Sequence, residues 1–536
     1  MLAQGTGGDN VNLQFAVLWN GTRFESWQLS SLDRLRALAT VRATLVIRSA
    51  EPAASAAPLP EILSALPIVG AGELSARSDL DFILSFTDEP CSPDLLEAAR
   101  YGVWAYRFGR SARNGSEAAG FWEVYRGAPV TTGRLVRLQA SPESVVVLRE
   151  GHIHTHPLSF AANRRELLAR AAGWPALVCT DIGNGVTARF DAPALVSASP
   201  RRAAPTSRQR LGCRVRIAAR TVRVVLKSLF RHDQWNVGYV ERPISWFLDN
   251  KHPMEVAWLE PSSRDAFLAD PFGTWRDGRL TILCEHFSYR SNRGTIVAIE
   301  SARETGPTSE TRAATETGAI PVDIGPQPAV HLSYPYLFEA EGRLLCIPES
   351  YEAAEIGLYE IGRFPDRWIK VANLIEGPSI VDATLFRYQD RWWLAGSEAT
   401  AMGTCELHLW HAEQISGPWQ PHAANPVKVD VRSARPAGTP FLHNGALYRP
   451  AQDCSRTYGG RVVINRVITL TPTEFLETPA ATVEPDPSGP YPAGLHTLSA
   501  AGSGTLIDGK RVIFSPAEFR RVLRHYLRAV WRRARG

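Results

Sequence analysis

From residue 265 to residue 515 the apolar positions come in strand-length runs, paired about two-residue breaks. Phe272 to Trp275 and Leu280 flank Asp277-Gly278, and Leu337-Phe338 and Leu344 flank Glu341-Gly342. Leu385-Phe386 and Trp392-Trp393 flank Asp390-Arg391, Phe441 and Leu447-Tyr448 flank Asn444-Gly445, and Leu506-Ile507 and Val512 flank Asp508-Gly509. Asp-Gly and Asn-Gly favour tight hairpins, because Gly accepts positive φ. A strand-rich unit recurring about every 50 residues is a propeller signature. The spacing predicts an all-β propeller of five blades.

Residues 12–200 read differently. Phe15 to Trp19, Ala43 to Ile47 and Asp81 to Ser85 form apolar strands. Between the first two, Ser30 to Ala39 places Leu32, Leu35, Leu38 and Ala39 on one helical face. Ser92-Pro93 opens a further helix through Leu95, Leu96 and Ala99. Alternation of strand and helix predicts an α/β unit with a parallel sheet. No G-x-G-x-x-G follows the first strand, so a dinucleotide site has no support and no cofactor is expected.

Two stretches carry an apolar stripe at helical spacing. One joins Leu211, Val215, Ala218, Val222, Leu226 and Leu229, flanked by Arg214, Arg220, Arg223, Lys227 and Arg231. The other joins Phe519, Val522, Leu523, Tyr526, Leu527, Val530 and Trp531. The organisation expected is an α/β domain over 1–200, a basic linker helix over 201–236, the propeller over 237–516 and a basic amphipathic helix over 517–536. Residues 302–325, rich in Thr, Glu, Ala, Gly and Pro, predict a mobile loop between the first two blades.

Charge sharpens this picture. Residues 201–231 hold ten Arg or Lys and no acid, and 517–536 hold seven Arg and one Glu. The whole chain of 536 residues carries only +5, so the remainder is acidic. Basic amphipathic helices suit an anionic membrane surface, or else they pack on the acidic body and tie the domains together. No nucleic-acid partner is expected. Met1 to Asn12 lacks the basic start and apolar run of a signal peptide. The seven Cys are scattered without a C-x-x-C pair, which suits a reducing compartment and argues against zinc. A cytoplasmic protein, peripheral at the inner face of the membrane if the helices bind lipid, is the expectation. His152, His154 and His156 share a strand face, but no further ligand type accompanies them, and no metal site is expected.

Polar residues follow the propeller rhythm. Asp270, His331, Asp382, Arg435 and His496 precede the five hairpins. Eight residues after the first turn residue stand Glu285, Glu349, Glu398 and Gln452, with Pro516 breaking the rule in the fifth copy. Hairpins of this length return both ends to one rim, so these groups are expected around a single mouth. Asp390 and Asp508 read as turn residues.

The N-terminal motifs Leu95 to Phe108, Gly120 to Gly127 and Thr132-Gly133 resemble a folate-dependent formyltransferase domain, with its Rossmann-type α/β fold. The resemblance implies a catalytic Asn, His and Asp at Ala105, Arg107 and about Ser144, where this chain has none of them. It therefore implies the fold and an inactive domain. Over about residues 235–515, the motifs Ala269-Asp270-Pro271-Phe272, Glu285-His286-Phe287, Ile347-Pro348-Glu349-Ser350, Asp382-Ala383-Thr384, Arg449-Pro450-Ala451-Gln452-Asp453-Cys454 and Gly494-Leu495-His496-Thr497 resemble the propeller domain of glucosamine inositolphosphorylceramide transferases and their bacterial relatives. That domain is similar to the five-bladed furanosidase and fructosidase propellers. The likeness implies Asp270 as base or nucleophile and Asp382 as a tuning residue. It puts Arg435 where a carboxylic acid is wanted and leaves Glu349, with Glu285, as the substitute acid. His331, Arg435, Arg449, Gln452, Asp453 and His496 would bind the substrate, a phosphate or carboxylate included.

The function expected is glycosyl transfer in assembly of a cell-envelope polysaccharide or glycolipid, on a carbohydrate, sugar-phosphate or glycolipid substrate. Three alternatives stand beside it: a furanosidase-like glycoside hydrolase, a non-catalytic carbohydrate-binding propeller and a sugar N-formyltransferase.

Overall fold

Four of the five expected hairpins turn on two consecutive residues of positive φ. They are Asp277-Gly278, Glu341-Gly342, Gln389-Asp390 and Asn444-Gly445, as type I′ geometry requires. The fifth turns at Gly502-Ser503, between paired Ala501 and Gly504. These observations come from a computed structural model, which describes residues 12–20, 23–48, 58–71, 79–87, 89–109, 116–141, 144–191, 195–196, 204–249, 254–260, 265–302, 319–325, 330–399, 405–515 and 519. The chain divides into two compact units, Met1–Arg220 and Thr221–Gly536.

The second unit is a five-bladed propeller. Blades 1 to 4 are sheets of consecutive antiparallel strands, beginning with Ala266–Arg276, Ser333–Ala340, Ile380–Tyr388 and Phe441–His443. Blade 5 is composite: Leu498–Ala501 and Gly504–Phe514 from the end of the propeller segment pair with Arg231–Val240 and Ala257–Trp258 from its beginning. Ten residue pairs, from Thr505↔Val240 to Phe514↔Arg231, close the ring. Closure completes the last blade with strands from both ends of the propeller segment, and the ring leaves only short, protected strand edges. The propeller thus starts at Arg231, inside the stretch expected to be linker. Successive blades pack through apolar clusters, such as Phe272, Tyr334, Tyr336, Leu345, Leu385 and Leu394. Two outer elements also differ from expectation. Ile320–Pro321, read as part of a mobile loop, pairs with Val297–Ala298 as the fourth strand of blade 1; residues 303–318 lie outside the described residues. The C-terminal basic helix lies outside them too, apart from Phe519, which stacks on Phe230.

The first unit is an α/β sheet of eight strands. Ile68–Gly70, Val41–Arg48, Leu13–Trp19, Phe82–Ser85 and Val103–Phe108 pair in parallel. Val130–Leu138, Ser144–His154 and Leu195–Val196 add on antiparallel. The sheet is therefore mixed rather than parallel throughout, because the short link from Leu138 to Ser144 can make only a hairpin. The topology is that of a mixed α/β sheet, and the formyltransferase likeness rests on the sequence motifs alone. The first helix starts at Ser26, four residues early, where Gln28 Oε1 accepts the Glu25 N–H at 2.7 Å in a capping box. Ala105 is fully buried in its strand, while Arg107 is only partly covered. The three histidines do not converge on one ion. His152 Nδ1 lies 2.9 Å from Thr132 Oγ1 and its Nε2 3.0 Å from Glu150, while His156 Nε2 meets Glu166 at 2.5 Å.

A candidate active site at the propeller mouth

The first strand of blades 1, 2 and 3 breaks register at the same place, between Ala269 and Phe272, Ser333 and Tyr336, and Val381 and Thr384. In each bulge one residue adopts positive φ: Asp270 at 52°, Tyr334 at 42° and Asp382 at 53°. Asp tolerates this conformation, whereas Tyr there is a genuine outlier. Bulges of this kind re-aim a side chain at the end of a strand. They turn Asp270 and Asp382 into the ring, where both are buried.

Two linked networks result. In the first, Asp270 Oδ1 accepts from Thr497 Oγ1 at 3.1 Å and faces His496 Nε2 at 3.3 Å. His496 Nδ1 lies 2.6 Å from Asp508 Oδ2. The other Asp508 oxygen accepts the backbone N–H groups of His496 and Thr497 at 2.9 and 3.0 Å, and the Asp270 N–H donates to Asp508 Oδ2 at 3.2 Å. In the second, Asp382 forms a forked ion pair with Arg435 and accepts from Gln452 Nε2 at 2.9 Å. The Asp382 N–H donates to Glu349 Oε2 at 2.8 Å, and Ser333 Oγ donates to Glu349 Oε1 at 3.0 Å. Tyr458 joins the two, with Arg435 over its ring at 5.1 Å and the His496 ring edge-on at 5.3 Å.

This crowding sets the protonation states. Burial raises Asp270 to about 6, the nearby His496 opposing and Asp508 adding to it. Burial, then Asp382, pushes Glu349 up to about 8. Glu285 is raised well above the carboxylate range by burial and by Asp270 and Glu349. His496 is raised in spite of burial, because Asp508 and Asp270 both favour its cation. Asp508 is lowered, since His496 and two N–H donors outweigh its burial. Glu349 is thus raised further than Asp270, and the same crowding raises Glu285.

The repeat register also corrects several sequence assignments. The blade 3 turn begins at Gln389 rather than Asp390, so the position matching Glu285, Glu349 and Gln452 is the buried Ser397. Glu398 sits one residue on and, with side-chain alternation, faces the other way. In blade 5 the matching residue is Lys510, which bridges to Gly494 as Glu285 pairs with Ala269. Pro516 lies outside the described residues. Asp508 is not a turn residue but the buried centre of a strand. His331 is three residues short of the bulge; its Nδ1 accepts from the Gly294 N–H at 3.0 Å, and Nε2 approaches Glu285 at 3.4 Å. Arg449, expected to bind substrate, forks onto Glu477 at 3.0 and 2.6 Å and donates to the carbonyls of Ala434 and Ser433, fully buried. Asp453 likewise has protein partners, accepting the Ser455 N–H and holding Arg461 at 2.8 Å. Two groups of described residues bring metal-ligand atoms within 4.8 Å of one another: Asp270, His496 and Asp508, which already pair with one another, and Glu398, Glu406 and His408.

Residues 251–487 match the family model described as glucosamine inositolphosphorylceramide transferase 1, N-terminal. Among curated proteins, glucosamine inositolphosphorylceramide transferase 1 of Oryza sativa subsp. japonica is 34% identical over 218 residues, covering 40% of this chain and 28% of its own length. That of Arabidopsis thaliana is 34% identical over 216 residues, covering 39% and 27%. The chain therefore spans little more than a quarter of these relatives. Similar solved structures include an exo-1,5-α-L-arabinanase from a bovine ruminal metagenomic library, with 12% identity, a TM-score of 0.34 and coverage of 46% of this chain and 94% of that one. The α-L-arabinofuranosidase of Podospora anserina has 12% identity, a TM-score of 0.36 and coverage of 46% and 81%.

Proposed function

We propose that the propeller mouth is the active site of a glycosyl-transfer enzyme acting on a glycolipid or sugar-phosphate acceptor in envelope-glycan or glycolipid synthesis. The carrying observation is the buried cluster in which Asp270, Asp382 and Glu349 come together from three successive blades, burial raising Asp270 to about 6 and Glu349 to about 8. Glycosidic chemistry needs one carboxylate and one carboxylic acid. Asp270 serves as base or nucleophile, with His496 and Asp508 fixing its orientation. Glu349 supplies a proton to the departing oxygen, with Asp382 holding it through the backbone N–H. Arg435 and His496 attract an anionic group on the substrate. The matched family, named for transfer to inositolphosphorylceramide, supports transfer over hydrolysis. So does Arg435, a cation at the place where furanosidase-like propellers need their acid.

Purified protein, incubated with sugar nucleotides, oligosaccharides and inositol-phospholipid acceptors in ¹⁸O-labelled water, tests this by mass spectrometry. Transfer to the acceptor without label uptake is expected, and Asp270→Asn and Glu349→Gln each lower it at least roughly a hundredfold. Label uptake into a released sugar would mean hydrolysis instead. A second reading, a carbohydrate-binding propeller without catalysis, is favoured by the deep burial and existing partners of every mouth carboxylate. Saturable glycan binding with no product from either route would establish it.

A further inference from the structure

The helix Ser207–Ser228 is anchored by the wrong face for an ordinary amphipathic helix. Cys213 is buried, and with Ile217 it packs against Phe121, Trp122 and Val124. Arg220 donates to the carbonyls of Val124 and Tyr125, and the Arg216 guanidinium lies 4.7 Å over the Tyr125 ring. These residues lie about half a turn round the helix from the apolar stripe. Among the described residues nothing covers the stripe: Leu211 is 63% exposed, Val215 62%, Val222 59% and Leu226 57%. Soluble proteins leave contiguous apolar surface of this kind uncovered mainly where something binds.

Charge identifies what binds. Arg208 and Arg214 border the stripe on either side, Arg223 and Lys227 continue along the exposed helix, and no acid occurs from residue 201 to 231. A second copy of this helix would bring like charges together, and so would the basic stretch 517–536. A nucleic acid would satisfy the cations but leave four branched aliphatic side chains in water. An anionic lipid surface offers negative headgroups above and acyl chains beneath, matching both parts of the face. We infer that this helix lies in the headgroup layer of an anionic bilayer and holds the chain at a membrane surface, whatever the propeller mouth does. No described helix is long and apolar enough to cross the bilayer, so the association is lateral and salt-sensitive.

Flotation of the full chain with vesicles of phosphatidylglycerol or of phosphatidylcholine, at low and high salt, tests the inference. Recovery with phosphatidylglycerol vesicles at low salt, lost with phosphatidylcholine or at high salt, is expected. The fourfold variant Leu211→Gln, Val215→Gln, Val222→Gln, Leu226→Gln should float at least tenfold less while melting at the wild-type temperature, because all four side chains are solvent-exposed. Wild-type protein that stays at the bottom of the gradient with phosphatidylglycerol overturns the proposal. So does a fourfold variant that floats as well as wild type, which would move the contact to another segment. A gel shift of duplex RNA at the same salt, without flotation, would make the face a nucleic-acid surface and equally end the idea.

Discussion

Glu349 shows how a single residue couples chemistry to stability. Its carboxyl is raised to about 8 in the folded protein, against the ordinary value of 4.5. The native state therefore binds its proton more tightly than the unfolded chain. The stabilisation is complete below about pH 4.5, declines above it, and is lost as pH rises through 8. Within that window each pH unit costs about 1.4 kcal/mol per such group, and Asp270, raised to about 6, adds in the same direction. Glu349→Gln should therefore flatten the fall in melting temperature between pH 5 and 8, as followed by circular dichroism; an unchanged slope would place the proton elsewhere. Asp270, Asp382, His496 and Glu349 were legible in the sequence because their spacing follows the repeat. Asp508 was not, since Asp508-Gly509 has turn chemistry that the strand pairing overrides. Tyr334 was hidden because nothing in a Tyr signals positive φ. The partner of Arg449 was not legible either, because Glu477 lies 28 residues away.

At the scale of elements, turn chemistry decides register. Three glycine-bearing breaks, Asp277-Gly278, Glu341-Gly342 and Asn444-Gly445, were visible, but Gln389-Asp390 carries the same geometry without a glycine, and reading it one residue late moved Glu398 onto the wrong face. Amphipathic spacing located the helix Ser207–Ser228 well, yet could not say which face meets the protein. Glycines on either side of the first strand of blade 4 make the positional argument testable. Gly438 has φ of 114°, and a Cβ there would stand 2.0 Å from the Leu498 carbonyl oxygen. Its N–H also donates to Tyr334 Oη at 2.7 Å. Gly438→Ala should cost on the order of 3 kcal/mol or more. Gly445, with φ of 74° and nothing within 4 Å of an added Cβ, should lose only about 1 kcal/mol as Ala. Urea midpoints for the pair check the ranking, and equal losses would refute it.

For the whole molecule, the five-fold repeat was readable and its closure was not. Arg231–Val240 was assigned to a linker because its partner lies at the far end of the chain, a pairing no local pattern can reveal. Removal of 498–536 should abolish the cooperative unfolding transition of the propeller, since it strips blade 5 of two strands and the ring of its seam; a truncated protein melting as one sharp transition would show that the blades stand alone. The seam also sets a timetable for synthesis. Arg231–Val240 leaves the ribosome some 280 residues before Phe514 does. At roughly 5–20 residues per second, this strand waits on the order of 15–60 s with its edge unpaired. During that interval blades 1 to 4 can assemble in order, but the first and last of them face solvent, and the nascent chain is exposed to strand exchange with its neighbours on the same message until Gly504–Phe514 arrives.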